Sequence, residues 1–163
     1  MDAFSVDTFK DALDHAFDPA DEELAHAGMA ASVQRLRAAG LRPTRQRVML
    51  AELLFANGDR HVTAEMLFGE ACDANIHLSV ATVYNTLNQF TQAGLLRRIG
   101  PDGSKSFFDT NTSVHPHFYL QDEDALIDIP ETLVLDRMPD ALPGHEISRL
   151  DIIIHIRRRP ARI

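Results

Sequence analysis

Residues 79–94 read SVATVYNTLNQFTQAG, and this stretch decides the fold prediction. At 100° per residue its apolar side chains fall within about 80° of one another on a helical wheel. These side chains are Val80, Val83, Leu87 and Phe90. Ser79 can cap the N-terminus of such a helix and Gly94 can end it. The stretch therefore predicts an amphipathic helix with one buried stripe.

The face opposite this stripe is centred on Asn85 and carries no charged side chain. Its other members are small, hydroxyl or amide residues: Ala81, Thr82, Tyr84, Gln89 and Gln92. A solvated helix face usually carries Lys and Glu, whereas amides can pair with adenine and methyl groups can contact thymine. The face indicates either a helix that reads DNA or an ordinary polar surface.

Three further helical signals precede this segment. The first is Ala30–Ala39, ended by Gly40, and the second is capped by Thr44 and runs to Asn57. The third is capped by Thr63 and has Met66, Leu67 and Ala71 as its apolar face. After Gly94 two short runs, 95–99 and 104–109, flank the turn residues 100–103, which predicts a β-hairpin. Helices followed by a hairpin form the order of a winged helix-turn-helix domain.

The chain after residue 113 carries mainly strand signals. Strands are predicted at 115–121, 125–129 and 147–156, with room for a short helix between 130 and 144. The unbroken apolar run 152–154 indicates a strand buried on both faces. The predicted class is α+β, with a winged helix-turn-helix followed by a small α/β dimerisation domain. The predicted divisions are an acidic extension over 1–28, a DNA-binding domain over 29–110, and a dimerisation and sensing domain over 111–163.

Composition and charge narrow the function classes. The formal net charge is −8, but residues 1–30 carry −7 of it, residues 31–105 carry +3 and residues 106–163 carry −4. The single cysteine, Cys72, excludes an internal disulfide and a structural zinc site of four cysteines in one chain; we expect it to be a small buried residue. No apolar run approaches membrane-spanning length and the N-terminus lacks the pattern of a signal peptide, so we expect a cytoplasmic protein that does not bind membranes.

The basic residues of the middle third lie on both sides of the amphipathic helix. We expect them to contact phosphates while the helix enters the major groove. They are Arg42, Arg45 and Arg47 before or in the second helix, and Arg97, Arg98 and Lys105 on the hairpin.

His115 and His117 are the clearest chemical signal in the last third. In a strand, residues i and i+2 project to the same side, so both imidazoles can reach one ion or one cofactor. The alternative is a pair of surface histidines on an edge strand that Pro116 helps to define. His155 lies in the final apolar run, where a hydrogen-bonded core histidine is the favoured interpretation over a metal ligand.

Several motifs resemble the ferric uptake regulator superfamily. They are AGLRPTRQR at 39–47, HVTAE at 61–65, ATVYNTLNQF at 81–90 and AGLL at 93–96. Within it, GSKSFFDTN at 103–111, HPHF at 115–118 and LIDIP at 126–130 are similar to the iron response regulators of alphaproteobacteria. The resemblance covers about residues 29–159.

The resemblance implies a homodimer that binds palindromic operator DNA and controls iron and haem metabolism genes. It implies that Arg42 approaches the minor groove, that Tyr84 touches bases, and that Thr82 and Asn85 lie in the major groove; we add Ser79 to this DNA-binding set. It also implies a sensory site built from His61, Asp109, His115, His117 and Asp128. The chain departs from the family in lacking Cys-x-x-Cys pairs and a Cys-Pro motif, and in having Pro116 between two histidines.

Three functional hypotheses follow. In the first, the protein is a regulator whose DNA binding is weakened by haem at His115 and His117, or by a metal at the cluster. In the second, Fe²⁺, Mn²⁺ or Zn²⁺ at the cluster activates a repressor and no haem is sensed. In the third, the cluster activates water in a metal-dependent hydrolase, although no general base or nucleophile accompanies it in the sequence.

Overall fold

The computed structural model describes residues 19–103, 105–130, 133 and 136–159. Four helices and six short strands follow one another along the described chain. The helices are α1 (Pro19–Ala38), α2 (Arg45–Phe55), α3 (Ala64–Asp73) and α4 (Val80–Gln92). The strands are β1 (His61–Val62), β2 (Arg97–Ile99), β3 (Phe107–Asp109), β4 (His117–Leu120), β5 (Ala125–Asp128) and β6 (Ile153–Ile156).

The first helix begins earlier than the sequence predicts. The predicted helix starts at Ala30, whereas α1 begins at Pro19, and a proline at the first helical position loses no intrahelical hydrogen bond. At its other end, Gly40 adopts a φ of 74° and Leu41 N donates to Leu36 O, which ends the helix as predicted. The sequence also predicts a weak helix that Asp18–Pro19 closes, and this helix lies outside the described residues.

The three predicted N-terminal caps are confirmed. Thr44, Thr63 and Ser79 have extended backbones, and the side-chain oxygen of each accepts a hydrogen bond from the amide three residues later. Each bond satisfies one of the free N–H groups at the start of its helix. These caps place the starts of α2, α3 and α4.

The buried stripe of α4 is slightly displaced from its prediction. Val83, Leu87 and Phe90 are buried, but Val80 is exposed because it lies in the first turn, beyond the reach of the neighbouring helices. Thr86 is buried in its place and donates to the carbonyl of Thr82. On α3, Met66 is likewise exposed, so its assignment to the apolar face is wrong.

The predicted hairpin forms and gains a third strand. β2 and β3 pair antiparallel, and β1 pairs with the other edge of β3, giving the order β1-β3-β2. Residues 61–62 carry no strand signal of their own in so short a segment. With α2, α3 and α4, this sheet makes the predicted winged helix-turn-helix arrangement.

The second sheet has the order β5-β4-β6, with β4–β5 antiparallel and β4–β6 parallel. The strand expected at 147–156 is only four residues long, and its isoleucines are half-buried or exposed, so burial on both faces is wrong for the single chain. His115 precedes β4 instead of lying in it, and no helix is present among the described residues of 130–144. His155 is exposed and packs edge-on against Tyr119, so the core interpretation is wrong as well.

Two apolar cores result. The larger one lies among α1–α4 and the inner face of the wing, and includes Leu50, Leu87 and Phe108. The smaller one joins the two sheets: Ile99 and Phe107 pack with Tyr119 and Leu126. The strands of the first sheet precede residue 110 in the sequence and those of the second sheet follow it. The domain boundaries stay a prediction.

The sequence predicts a buried Cys72 and no membrane-spanning segment. Cys72 is exposed near the end of α3, so its prediction as a buried residue is wrong. No helix in the described part of the chain is long and apolar enough to cross a membrane.

Candidate metal centre and nucleic-acid interface

All five predicted ligands meet at one point where the two sheets adjoin. One nitrogen or oxygen atom of each lies within 4.8 Å of one such atom of every other member. We call this group the His/Asp cluster: His61, Asp109, His115, His117 and Asp128. The prediction that these residues come together is confirmed.

Strand register explains how residues so distant in sequence reach one point. In the first sheet, His61 of β1 is the antiparallel partner of Asp109 at the end of β3. In the second sheet, His117 at the start of β4 is the partner of Asp128 at the end of β5. Each pair therefore lies side by side at one end of its strands, and the side chains of the two pairs meet there.

The fifth ligand is held by the loop between β3 and β4. Asn111 N donates to Asp109 Oδ1 at 2.8 Å, and the amide and hydroxyl of Ser113 donate to Asn111 Oδ1 at 3.1 and 2.6 Å. His115 Nδ1 then lies 3.1 Å from Ser113 O. Alternate residues along the loop thus hold one another, and they bring His115 to the cluster without a strand.

The spacing of the donor atoms suits one metal ion. Asp128 Oδ1 lies 2.9 Å from both His61 Nε2 and His115 Nε2, and Asp109 Oδ2 lies 3.2 to 3.6 Å from the three imidazoles. Bonds of about 2.0–2.2 Å to a common ion place neighbouring ligands roughly 3 Å apart. His61 Nε2 is buried without a hydrogen-bond partner, even though Asp128 Oδ1 is close. A buried nitrogen of this kind needs a partner that an ion can supply.

Asp109 is the most buried carboxylate of the cluster, with its side chain 1% exposed. Burial alone raises its pKa, but the neighbouring imidazoles of His117 and His61 and the hydrogen bond from the Asn111 amide outweigh burial and hold its pKa below the ordinary value. The carboxylate is therefore ionised at neutral pH and available to a cation.

The polar face of α4 points away from both cores. Tyr84 and Asn85 are exposed, and the ring of Tyr84 stands edge-on to Phe108 of the wing with centroids 6.3 Å apart. Ser79 and Thr82 lie at the N-terminus of this face, where their side-chain oxygens are 2.9 Å apart. The expected base-reading residues thus share one accessible end of α4.

The basic residues divide into three environments. Arg42 and Arg45 are exposed, whereas Arg47 binds Gln89 Oε1 through Nε and Nη2 at 3.1 and 2.9 Å, which fixes α2 against α4. Lys105 forms an ion pair with Asp124 but keeps 39% of its side chain exposed. Arg42 and Arg45 are thus exposed at the start of α2, whereas the side chains of Arg47 and Lys105 are already paired.

Arg97 differs from its prediction. It is 9% exposed and its guanidinium faces the second sheet, where it binds Asp151 Oδ1 at 2.6 Å. Residues of a strand alternate between its faces, and Arg97 shares the inner face of β2 with Ile99 while Arg98 points outward. This alternation is the sequence signal that could have placed Arg97 on the inner face. Arg98 is therefore the exposed arginine of this strand, and we leave Arg97 out of the DNA-binding set.

Comparison with known proteins identifies the family. The sequence profile of the Ferric uptake regulator family matches residues 38–156. The chain belongs to the Ferric uptake regulator family. The members of this family are transcription regulators, so the match favours a regulator over the metal-dependent hydrolase.

Individual members of this family are similar to the chain in sequence. The ferric uptake regulation protein of Shigella flexneri is 34% identical over 113 residues, covering 69% of this chain and 76% of that protein. That of Vibrio vulnificus is 30% identical over 116 residues, covering 71% and 78% respectively.

Solved structures show the same fold. The Pseudomonas aeruginosa ferric uptake regulator, solved with manganese, is 26% identical with a TM-score of 0.59 and covers 79% of this chain and 98% of its own. The Vibrio cholerae ferric uptake regulator, described with rearranged DNA-binding domains, is 25% identical with a TM-score of 0.60 and covers 77% and 98%. The α+β prediction of an N-terminal DNA-binding fold and a C-terminal dimerisation fold is confirmed.

Proposed function

We propose that the protein is a homodimeric repressor that binds operator DNA through α4 and is activated by a divalent metal ion at the His/Asp cluster. The observation that carries this proposal is the position of the cluster, with His61 and Asp109 on the first sheet and His117 and Asp128 on the second. The first sheet is the wing of the DNA-binding fold. A ligand that joins the two sheets therefore affects the position of α4 relative to the second sheet.

The donor set indicates the class of ion. Three imidazole nitrogens and two carboxylate oxygens suit Fe²⁺, Mn²⁺ or Zn²⁺, and the cluster contains no thiolate. Manganese accompanies the Pseudomonas aeruginosa relative, which agrees with this class. His61, Asp109, His115, His117 and Asp128 would hold such an ion, whose positive charge would balance the two carboxylates.

The residues of the cluster explain why occupancy changes DNA binding. Asp109 and Asp128 are both acceptors at the centre, and their mutual repulsion favours separation of the sheets. When the two sheets are held together, less conformational entropy is lost on binding DNA. Occupancy of the His/Asp cluster is in this way coupled to the affinity for DNA. Metal-bound protein is therefore the form that binds the operator.

The DNA-binding part of the proposal rests on surface chemistry. Thr82, Tyr84 and Asn85 present hydroxyl and amide groups to base edges, while Arg42 and Arg45 supply phosphate contacts. Ser79, Arg47 and Lys105 stay in the proposed interface as neighbours of these residues. Two copies of α4 in a dimer then read two half-sites.

Haem is the second candidate ligand, through His115 and His117. Against it, His117 is 2% exposed and its Nε2 lies 3.4 Å from Asp109 Oδ2, so both imidazoles face carboxylates across a narrow gap. The resemblance to the iron response regulators is what supports haem. The metal ion fits the described side chains without rearrangement, and we therefore place it first.

The metal is tested by elemental analysis of untagged protein after titration with Mn²⁺, Fe²⁺ or Zn²⁺. We expect one equivalent per chain, lost in His117→Ala and kept in His145→Ala, which removes an exposed histidine outside the cluster. Haem titration of the same proteins gives the competing outcome. A Soret band that needs His117, without stoichiometric metal, would move the proposal to haem.

The DNA part is tested with duplexes selected from a random library by the metal-loaded protein. Tyr84→Ala and Asn85→Ala are expected to weaken binding to the selected sequence by about 10- to 100-fold, since each base contact contributes about 1–3 kcal/mol. Gln34→Ala, an exposed amide on α1, is the matched control and should bind normally. Unchanged binding by both α4 variants would overturn the proposed interface.

A further inference from the structure

Arg97 is buried where the wing meets the second sheet, and its guanidinium reaches two separate segments. Nη1 donates to Ser113 O at 2.6 Å. Nη2 donates to Leu150 O at 3.1 Å and to Asp151 Oδ1 at 2.6 Å. A planar fork with fixed donor directions is what satisfies such a set of acceptors.

One of these acceptors also holds a cluster residue. Ser113 O lies 3.1 Å from His115 Nδ1 and Ser113 Oγ lies 3.4 Å from it, and the carbonyl oxygen accepts a hydrogen bond from Nδ1–H. Nε2 of the same ring lies 2.9 Å from Asp128 Oδ1 and 3.2 Å from Asp109 Oδ2. With Nδ1 protonated, Nε2 is the atom that can give its lone pair to a metal ion in place of a proton.

The loop that carries His115 is held by hydrogen bonds and forms no strand. Asn111 binds Ser113, Ile129 N donates to Pro116 O at 2.9 Å, and His115 contacts Ser113 O and Asp128 Oδ1 through its two ring nitrogens. Arg97 is the buried cation on the Ser113 carbonyl, and its own place is set by the register of β2 against β3. A side chain of the wing thus binds the same carbonyl oxygen as a ligand of the cluster.

We propose that Arg97 is a positioning residue of the metal centre, which holds the Ser113 carbonyl so that His115 keeps its proton on Nδ1 and directs Nε2 into the cluster. The inference rests on the proposed metal function, since it assigns a supporting residue to that same site. Groups that orient a metal-bound histidine through its other nitrogen commonly change metal affinity by 10- to 100-fold.

The test compares Arg97→Lys with Arg98→Lys. Both substitutions keep the charge and remove the fork, but Arg98 points outward from the same strand and binds Ser106 Oγ. Zn²⁺ affinity is measured by competition with a chromophoric chelator. Arg97→Lys is expected to bind at least tenfold more weakly, and Arg98→Lys should match the wild type.

A double-mutant cycle separates positioning from general damage. In a His115→Ala background, Arg97→Lys should have no further effect on Zn²⁺ affinity, because the group it acts through is gone. An equal loss in both backgrounds would mean that Arg97 supports the fold alone, and it would overturn the inference. The visible spectrum of Co²⁺-loaded protein should also change in Arg97→Lys and not in Arg98→Lys.

A measurement on metal-free protein keeps the inference testable if the variant is unstable or the metal function fails. Long-range ¹H–¹⁵N spectra of wild-type protein report whether Nδ1 of His115 carries a proton. We expect Nδ1 to be protonated in the wild type and less so in Arg97→Lys. A wild-type His115 with Nδ1 unprotonated would overturn the inference, whereas absence of stoichiometric metal with Nδ1 protonated would overturn only the proposed function.

Discussion

The two halves of the molecule are built to different degrees of completeness. Up to residue 110, seventeen apolar side chains are buried among the described residues, and they include Leu36, Leu50 and Phe90. After residue 110 the described chain buries three: Tyr119, Leu126 and Ile129. The helical half encloses its own core, whereas the small core of the sheet half includes Ile99 and Phe107 of the wing.

The apolar side chains left outside make the same contrast. Among the described residues after 110, nine large apolar side chains are exposed, and they include Ile127, Ile147, Ile154 and Ile156. Within the described sheet β6 is also an edge strand, with β4 as its one neighbour. Edge strands and exposed apolar surface are what a second chain covers. The exposed apolar surface of the second half is therefore where we expect the second chain of the proposed dimer to bind.

The largest expected effect comes from a charge in this surface. Ile154→Glu places a carboxylate on β6, and an unpaired charge buried between chains costs about 3 kcal/mol or more. We expect a monomer in sedimentation velocity and a loss of about 100-fold in DNA affinity. Met29→Glu, at an exposed apolar position on α1, should remain dimeric. A dimeric Ile154→Glu with normal affinity would show that this strand lies outside the interface.

The second prediction compares a core leucine with an exposed isoleucine. Leu87→Ala removes a fully buried side chain from α4 and should lower the free energy of unfolding by about 3 kcal/mol, through lost burial and the cavity it leaves. Ile127→Ala removes a side chain that is 48% exposed and should cost less than about 1 kcal/mol in protein diluted to the monomer. Urea titration followed by circular dichroism measures both. Similar costs would contradict the contrast between the two halves.

Local chemistry accounts for what the sequence predicts well. The caps at Thr44, Thr63 and Ser79 depend only on contacts within one turn, and the stripe of α4 depends on helical period. The meeting of the cluster residues was predicted through motif order alone. No local rule states that β1 would pair with β3 and bring His61 opposite Asp109.

The failures share one physical cause, which is that burial depends on what lies across from a residue. Val80 has the helical spacing of a buried residue but remains exposed. Arg97 is charged but is buried, because it faces hydrogen-bond acceptors from residues more than 50 positions away in the sequence. The run 152–154 indicates burial on both faces, yet the single chain covers it only partly. Sequence period shows which residues share a face, while the partner of that face comes from the tertiary or quaternary structure.

A smaller effect is expected where the two halves touch at the wing. Lys105 pairs with Asp124 in the turn after β4, while Asp124 also accepts from Tyr119 OH at 2.9 Å. Lys105→Gln should lower operator affinity a few-fold and reduce the slope of log affinity against log salt by about 1, if the lysine contacts one phosphate. Asp124→Asn, which frees the lysine, should leave that slope intact. An unchanged slope in Lys105→Gln would remove Lys105 from the DNA-binding set.

The smallest expected effect concerns the ion pair between Arg97 and Asp151, which ties the wing to the segment before β6. Burial raises the pKa of Asp151, but hydrogen bonds from Arg149 and Arg97 outweigh it and hold the pKa below the ordinary 3.8. A lowered pKa in the folded state means that the ionised carboxylate stabilises the fold above pH 3.8, and that this contribution is lost as the pH falls below that value. The side chain is 31% exposed, so solvent screening keeps the contribution near about 1 kcal/mol. The free energy of unfolding of the wild type should therefore exceed that of Asp151→Asn by a constant amount between pH 5 and 7, and the two should converge below about pH 4. Urea titrations across this range measure the difference, and a gap that persists at low pH would mean that Asp151 acts through packing instead of charge.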